Sequence, residues 1–409
     1  MVNSAQALGV YVHWPYCARI CPYCDFNVYR YRGRTDAEGK LVEAILADLS
    51  AQAALTPDHR LTSIYFGGGT PSLMAPVDVA RVIKACRALW SASSELEITL
   101  EANPTDAEAQ RFEDFASSGV NRLSLGLQSL DDLTLKTLGR NHGEDEARAA
   151  AILARRIFPC LSIDLIYALP DQTVEGWRET LMRTVDALNP DHISPYQLTI
   201  EAGTAFERAV LRGRLTPTDE EACADLFEAT QTVLRDLGFD AYEISNHARG
   251  VSARSRHNLT YWRGEAYVGV GPGAHGRLPT AGGWVATEAA LRPADYVSLV
   301  GRQGLGYAPP ALLSVTERAE ERAIMGLRTT EGVALHELEP LSLDLASDVL
   351  RELVELGLLT IRDQRLIATE AGRRVLNAVT RRLLTENRSS DRQALVSSSP
   401  PRESEGAAP

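Results

Sequence analysis

The chain has 409 residues, of which 44% are hydrophobic and 23% charged, enough for a large core and for two or three domains of an ordinary soluble globular protein. A formal net charge of -12 argues against nucleic acid as the main partner of the whole chain. No apolar run approaches the roughly 20 residues that span a bilayer, and Met1 to Leu8 lacks the basic and apolar regions of a signal peptide, so a cytoplasmic location is expected.

The first element in chain order is a strand-like run, Gly9 to Trp14, and directly after it comes Cys17-Ala-Arg-Ile-Cys21-Pro-Tyr-Cys24. Three soft thiolates in a C-x3-C-x2-C pattern fall short of a four-cysteine zinc site but match three irons of a 4Fe-4S cluster, leaving one iron open. A zinc site completed by His13, or thiols that share a loop without metal, are the alternatives. Cys86, Cys160 and Cys223 stand alone in largely apolar contexts and read as small buried hydrophobes, in keeping with a reducing compartment.

Apolar residues at three- and four-residue steps predict a helix from Thr35 to Ala54, and Leu61 to Phe66 predicts a strand running into Gly67-Gly-Gly-Thr-Pro71. The unit then repeats. Strands are expected at Leu96–Leu100, Arg122–Leu127, Leu161–Ile166 and His192–Leu198, with helices near 76–89, 106–118, 131–138, 144–157 and 173–187. Six strands alternating with helices indicate an α/β fold on a parallel sheet, which places function at the carboxyl ends of the strands. The glycine run, Glu101 and Gln128 lie at or just past such ends, while Asp164 sits within an apolar strand.

Without side chains, Gly67 to Gly69 can let a ligand approach the backbone and offer it amides; a tight structural turn is the alternative. Glu101 can accept from a ligand amine or be a solvated strand end. An acid buried like Asp164 needs partners, either ligand ribose hydroxyls or an internal Arg.

Beyond residue 200 the alternation loosens, with a helix near 218–237 and a strand near 240–244. Tyr242 to His247, Arg256 to Trp262 and the glycine-rich Val268 to His275 bring three histidines together with Tyr and Trp. By composition alone each of His247, His257 and His275 reads as a structural histidine. Ser314-Val-Thr-Glu317 is a capping-box pattern opening a helix to about Leu327. Helices near 341–356 and 370–384 flank a hairpin centred on Arg362-Asp-Gln, giving the outline of a small winged-helix-like domain. Arg362 to Arg392 carries eight Arg against four acids, read as a solvated helical face, with nucleic-acid or membrane-surface contact as the alternative. The domains expected are a core over 1–200, an extension over 201–310, a C-terminal domain over 311–385 and a disordered tail over 386–409, rich in Ser, Pro and Glu.

Six segments carry a resemblance to one family: Tyr-Val-His-Trp-Pro-Tyr-Cys17, Cys-Pro-Tyr-Cys-Asp-Phe26, Phe-Gly-Gly-Gly-Thr-Pro71, Leu-Ser-Leu-Gly-Leu-Gln128, Ile-Asp-Leu-Ile-Tyr-Ala-Leu-Pro170 and Tyr-Glu-Ile-Ser-Asn246. Over roughly residues 8 to 380 the chain resembles the radical S-adenosylmethionine (SAM) proteins similar to oxygen-independent coproporphyrinogen III oxidase. The resemblance implies a partial (β/α)6 radical-SAM barrel with a small C-terminal domain. It implies a 4Fe-4S cluster on Cys17, Cys21 and Cys24, with SAM at positions matching Tyr11, Tyr23, Gly68, Gly69, Thr70, Glu101, Gln128, Arg140 and Asp164.

Members that decarboxylate coproporphyrinogen carry a fourth cysteine two residues after the third, and an N-terminal extension. This chain has Phe26 there and sixteen residues before Cys17. Its His257-Asn-Leu-Thr-Tyr261-Trp262 matches an H-N-x-x-Y-W motif of a heme-chaperone branch. The implied function is to bind heme as cargo and deliver it to recipient proteins, often respiratory, with His257 as the heme iron ligand and Tyr261 and Trp262 on the macrocycle. The alternative is a radical-SAM enzyme such as the oxidase. A regulator using the C-terminal domain on nucleic acid is a third. A homodimer and contact with a membrane surface stay open.

Overall fold

The structure is a computed structural model that describes residues 6–33 and 35–385; the tail expected to be disordered, 386–409, lies outside the described residues. It divides into two compact units, one through Ser314 and one from Val315.

In the first unit, β1 (Ala7–Trp14), β2 (Arg60–Gly68), β3 (Ser91–Ala102), β4 (Arg122–Gln128), β5 (Cys160–Tyr167) and β6 (His192–Gln197) lie side by side in that order, all parallel. This is the six-stranded parallel core expected from the alternation. A seventh parallel strand, β7 (Ala266–Val270), pairs with the other edge of β1 and continues into the antiparallel hairpin β8 (His275–Thr280) and β9 (Gly283–Glu288). Short strands at Asp240–Ala241, His247–Ala248 and Ala311–Leu312 complete a sheet of twelve strands among the described residues. β7 escaped the sequence reading because Gly269 interrupts its apolar run. The glycine is required: a Cβ there would fall 1.9 Å from the His275 carbonyl oxygen.

Each core strand alternates in chemistry. Leu8, Val10, Val12 and Trp14 of β1, Ile98 and Leu100 of β3 and Leu161, Ile163 and Leu165 of β5 join one apolar core. That core includes Leu41, Ile45 and Leu49 of α1 (Thr35–Ala53) and Val79, Val82 and Ile83 of α2 (Pro76–Leu89). Successive residues point to opposite faces, so Tyr11, Tyr65, Glu97, Glu101, Ser124, Ser162 and Asp164 share the other face. That face is polar and largely out of contact with solvent. The helix expected over 106–118 is two short ones, Asp106–Ala109 and Phe112–Ser117.

The second unit has a helix at Val315–Gly326, a second at Asp348–Glu355 and a three-stranded sheet of Val333–Ala334, Leu359–Arg362 and Arg365–Ala368. Its hairpin turns at Asp363 and Gln364, both left-handed (φ 47° and 59°), the conformation of the two-residue turns that match strand twist. The helix expected over 341–356 starts only at Asp348, since Pro340 lies in the preceding 3-10 turn and Ser342 is left-handed (φ 53°). Among the described residues no helix is long and apolar enough to cross a membrane.

Candidate functional site

At the carboxyl ends of β2 to β6 the polar face opens into a cavity of about 440 Å³. Its lining includes Cys17, Cys21, Tyr23, Cys24, Gly68, Gly69, Thr70, Glu101, Gln128, Arg140 and Asp164, eleven of the twelve residues matched to cluster or SAM contacts. Tyr11 is the exception. It stands deeper on β1, its ring stacked on Tyr65, which does line the cavity.

The cysteine loop leaves β1 through Tyr16–Cys17, which pairs with Tyr29–Arg30, and turns where the Cys24 amide donates to the Cys21 carbonyl (3.2 Å). The Thr70 hydroxyl donates to Cys17 Sγ (3.5 Å) and Arg140 Nη1 to Cys21 Sγ (3.4 Å). All six cysteines are free thiols. Burial pushes the Cys17 thiol up to about 11, so binding iron there displaces a proton. Among the described residues no three of His, Cys, Asp and Glu converge as ligands of a single ion; the thiols are spread around the cavity wall. His13 does not complete a zinc site, because its Nδ1 meets the Tyr11 hydroxyl (3.1 Å) and its Nε2 the Asn27 carbonyl (3.0 Å). Three soft donors around a shared volume, each of two backed by a hydrogen-bond donor, fit an iron–sulfur cluster.

The glycine run differs in one respect from expectation. The amides of Gly69 and Thr70 are spent on the Trp14 and Tyr16 carbonyls (2.7 and 2.9 Å). What remains for a ligand ammonium is carbonyl oxygen and close approach. Gly68 is left-handed (φ +105°), and a Cβ on it would strike the His13 ring at 2.5 Å.

Glu101 accepts from the Tyr65 hydroxyl (2.7 Å), and burial, with Asp164 nearby, raises its carboxyl to about 7. Asp164 is held by the Ser124 hydroxyl (3.1 and 3.3 Å to its two oxygens) rather than by an Arg, and burial raises it to about 6. Gln128 ends β4 at a bulge, with φ 67°. Such strain in a non-glycine residue aims a side chain at a site. Arg140 reaches Cys21, the Gly126 carbonyl (2.9 Å) and Asn103 Oδ1.

Sequence reasoning passed over Tyr65, Ser124, Tyr196 and Asn103, which all line the cavity. Asn103 bridges Arg140 and Thr70. The alternation of polar and apolar residues within strands covered on both sides would have pointed to the first three.

His257, Tyr261 and Trp262, matched to heme contacts, do not line the cavity. They lie on or at the end of α3 (Arg256–Trp262), and His257 is 1% exposed. Its Nδ1 bonds to Ser63 Oγ (2.9 Å) and its Nε2 to the Tyr261 hydroxyl (2.7 Å). With both nitrogens engaged and no open face, His257 offers heme iron no coordination position in this structure. The structural alternative is the one its surroundings favour. His247 is buried too, while His275 is exposed, away from the cavity.

Comparison with known proteins bears on this site. A family model described as the radical SAM superfamily matches residues 11–183, and one described as the HemN C-terminal domain matches 313–375. The Bos taurus protein named radical S-adenosyl methionine domain-containing protein 1, mitochondrial, is 40% identical over 97% of this chain and 92% of its own length. The heme chaperone HemW of Bacillus subtilis (strain 168) is 33% identical over 91% of this chain and 97% of its own. That of Escherichia coli (strain K12) is 40% identical over 66% and 70%. Among solved structures, the coproporphyrinogen III oxidase HemN from Escherichia coli, a radical SAM enzyme, aligns with a TM-score of 0.76 at 22% identity, covering 93% of this chain and 91% of that one. At that identity the likeness is one of fold.

Proposed function

We propose that this chain, which belongs to the radical SAM superfamily and within it to the family of HemW and its mitochondrial relatives, is a heme chaperone that carries a 4Fe-4S cluster and SAM. In this reading Cys17, Cys21 and Cys24 hold three irons, and one iron is left for SAM. Bound together, the two groups supply one-electron chemistry. The chain's own part is to tune and to orient. Thr70 and Arg140 donate to two of the sulfurs, which favours thiolate. Glu101 and the glycine carbonyls receive the ligand ammonium, Asp164 takes ribose hydroxyls, and Gln128 and Tyr23 complete the walls. A cytoplasmic location and a respiratory recipient go with this reading.

The observation that carries chaperone over oxidase is at residue 26. The oxidase branch has a fourth cysteine two residues after the third; here Phe26 stands there, 64% exposed and lining the cavity, as does Ile20, 45% exposed. An exposed aromatic and an aliphatic side chain suit a flat apolar macrocycle better than they suit a second polar cofactor. Likeness of fold to HemN says nothing of substrate. The test is to reconstitute the chain anaerobically and offer it heme and, separately, coproporphyrinogen III. Retained heme, reduced in Phe26→Ser, and no protoporphyrinogen are expected; turnover of coproporphyrinogen would refute the reading.

A further inference from the structure

Beneath the cavity the polar face ends in a packed stack of rings. Tyr65, Tyr11 and His257 pack against one another, with centroids 4.8 Å apart for Tyr65 and His257 (planes 20° apart) and 6.2 Å for Tyr11 with either (27° to Tyr65, 25° to His257), and the Tyr65 hydroxyl holds Glu101. His257 is itself fixed by Ser63 and Tyr261, and the Tyr261 ring sits edge-on against it (4.9 Å). Gly9 leaves the room: a Cβ there would stand 3.2 Å from Ser63 Oγ and 3.4 Å from His257 Nδ1. From below, the Glu97 carboxylate accepts the amides of Arg256 (3.1 Å) and His257 (3.0 Å) at the start of α3, with the buried Arg122 guanidinium 3.6 Å away. Burial keeps His257 neutral, with its pKa near 3, so one ring nitrogen donates while the other accepts.

We propose that the segment His257 to Trp262 serves the cofactor site rather than heme: His257, locked by Ser63 and Tyr261, holds the Tyr65 ring so that its hydroxyl fixes the Glu101 carboxylate toward the cavity. Tyr65 and His257 are then positioning residues, one and two steps removed from the ligand. The inference rests on the cavity being the SAM site, and it gives the H-N-x-x-Y-W segment a task that needs no exposed imidazole. Its geometry also explains why the segment lies at the amino ends of the strands, opposite the cavity. It is the floor on which the site's carboxylate stands.

The test uses the full reconstituted chain and its Tyr65→Phe, His257→Ala, Glu101→Gln and Tyr65→Phe/Glu101→Gln variants. Iron per chain, SAM affinity by equilibrium dialysis, the change that SAM makes in the spin-resonance spectrum of the reduced cluster, and retained heme are measured on each. Tyr65→Phe and His257→Ala should each weaken SAM on the order of tenfold, the loss expected for one hydrogen bond to a charged group. They should also blunt the spectral change, while iron and heme stay at wild-type levels. The double variant should lose no more than Glu101→Gln, because both act through one carboxylate. Tyr65→Phe keeps the ring and decides the matter even if His257→Ala fails to fold. Wild-type affinity in Tyr65→Phe, or heme lost from His257→Ala with SAM binding intact, overturns the inference. A wild-type chain that binds no SAM overturns the cavity reading and this inference with it.

Discussion

Asp164 and Glu101 are acids whose surroundings withhold full solvation and supply hydroxyl donors instead of a cation. An ionised carboxylate in such a place is short of positive charge, and a ligand bringing an ammonium and ribose hydroxyls makes up the shortfall. Asp164→Asn should therefore weaken SAM tenfold to a hundredfold, the roughly 1.5–3 kcal/mol of a hydrogen bond to a charged acceptor, and leave the cluster spectrum unchanged. Unchanged affinity would remove Asp164 from the site. The raised values set a pH dependence. Between pH 5.5 and 7.5 both groups ionise, so SAM affinity should climb with pH, and Glu101→Gln should flatten the profile. In the unliganded chain the sign for stability is the reverse. Glu101 rises from an ordinary 4.5 to about 7, so the folded state keeps a proton that the unfolded chain has released. Its contribution to stability is full below 4.5 and is lost as pH rises through 7. At the thiols, Cys21→Ser should remove most iron and sulfide, because a hydroxyl is a poor soft ligand; full iron content in that variant would disprove the cluster assignment.

Among the elements, the junction of β2 with the cysteine loop leaves little room for change. Gly69 donates to the Trp14 carbonyl, and a Cβ on it would lie 2.8 Å from both the Trp14 and Tyr16 carbonyl oxygens. Those atoms are backbone and cannot rotate away. Gly69→Ala should cost about 1–3 kcal/mol, read as a fall in melting temperature, and should lower iron content through the displaced loop. A variant with wild-type melting and iron would mean that the loop has slack which the contacts deny. Elements of this kind were legible in the sequence: the six parallel strands declare themselves as apolar runs between helical periods, and their carboxyl ends locate the cysteines, glycines and Glu101. The polar face was not legible as a face. Ser63, Tyr65, Ser124 and Ser194 passed unremarked although they alternate with the core residues. Motif spacing led to a heme-ligand role for His257, since spacing carries no information on burial; only tertiary packing shows both ring nitrogens already bonded.

At the scale of the whole first unit, the sheet is tied at the carboxyl ends of β1 and β7 by residues far apart in sequence. The glycine-rich segment after β7 passes against the cysteine loop, where Asn27 Nδ2 donates to the carbonyls of Pro272 (3.0 Å) and Leu291 (2.8 Å), and the Asn27 carbonyl receives His13. Behind it, the Tyr296 hydroxyl accepts from the Gly271 amide (3.0 Å) and donates to the buried Asp48 of α1 (2.7 Å), while Gln52 spans Asp48 and the Gly269 carbonyl (3.0 Å to each). Composition gave no hint of this. Glycines there serve close approach, as at Gly271, where a Cβ would fall 2.3 Å from the His13 carbonyl oxygen. The arrangement makes the cysteine loop's rigidity depend on residues some 250 positions downstream. Asn27→Ala removes both side-chain ties while leaving the thiols, the core and the Asn27 carbonyl in place. The variant should fold and take up iron as the wild type does, since none of the donors to sulfur is altered. It should then lose that iron to a chelator several-fold faster, because a loop freed at its far end opens more often. Iron release at the wild-type rate would show that the Asn27 ties do not hold the loop closed, and that the remaining bonds, such as those of Thr70, Arg140 and Tyr29, suffice.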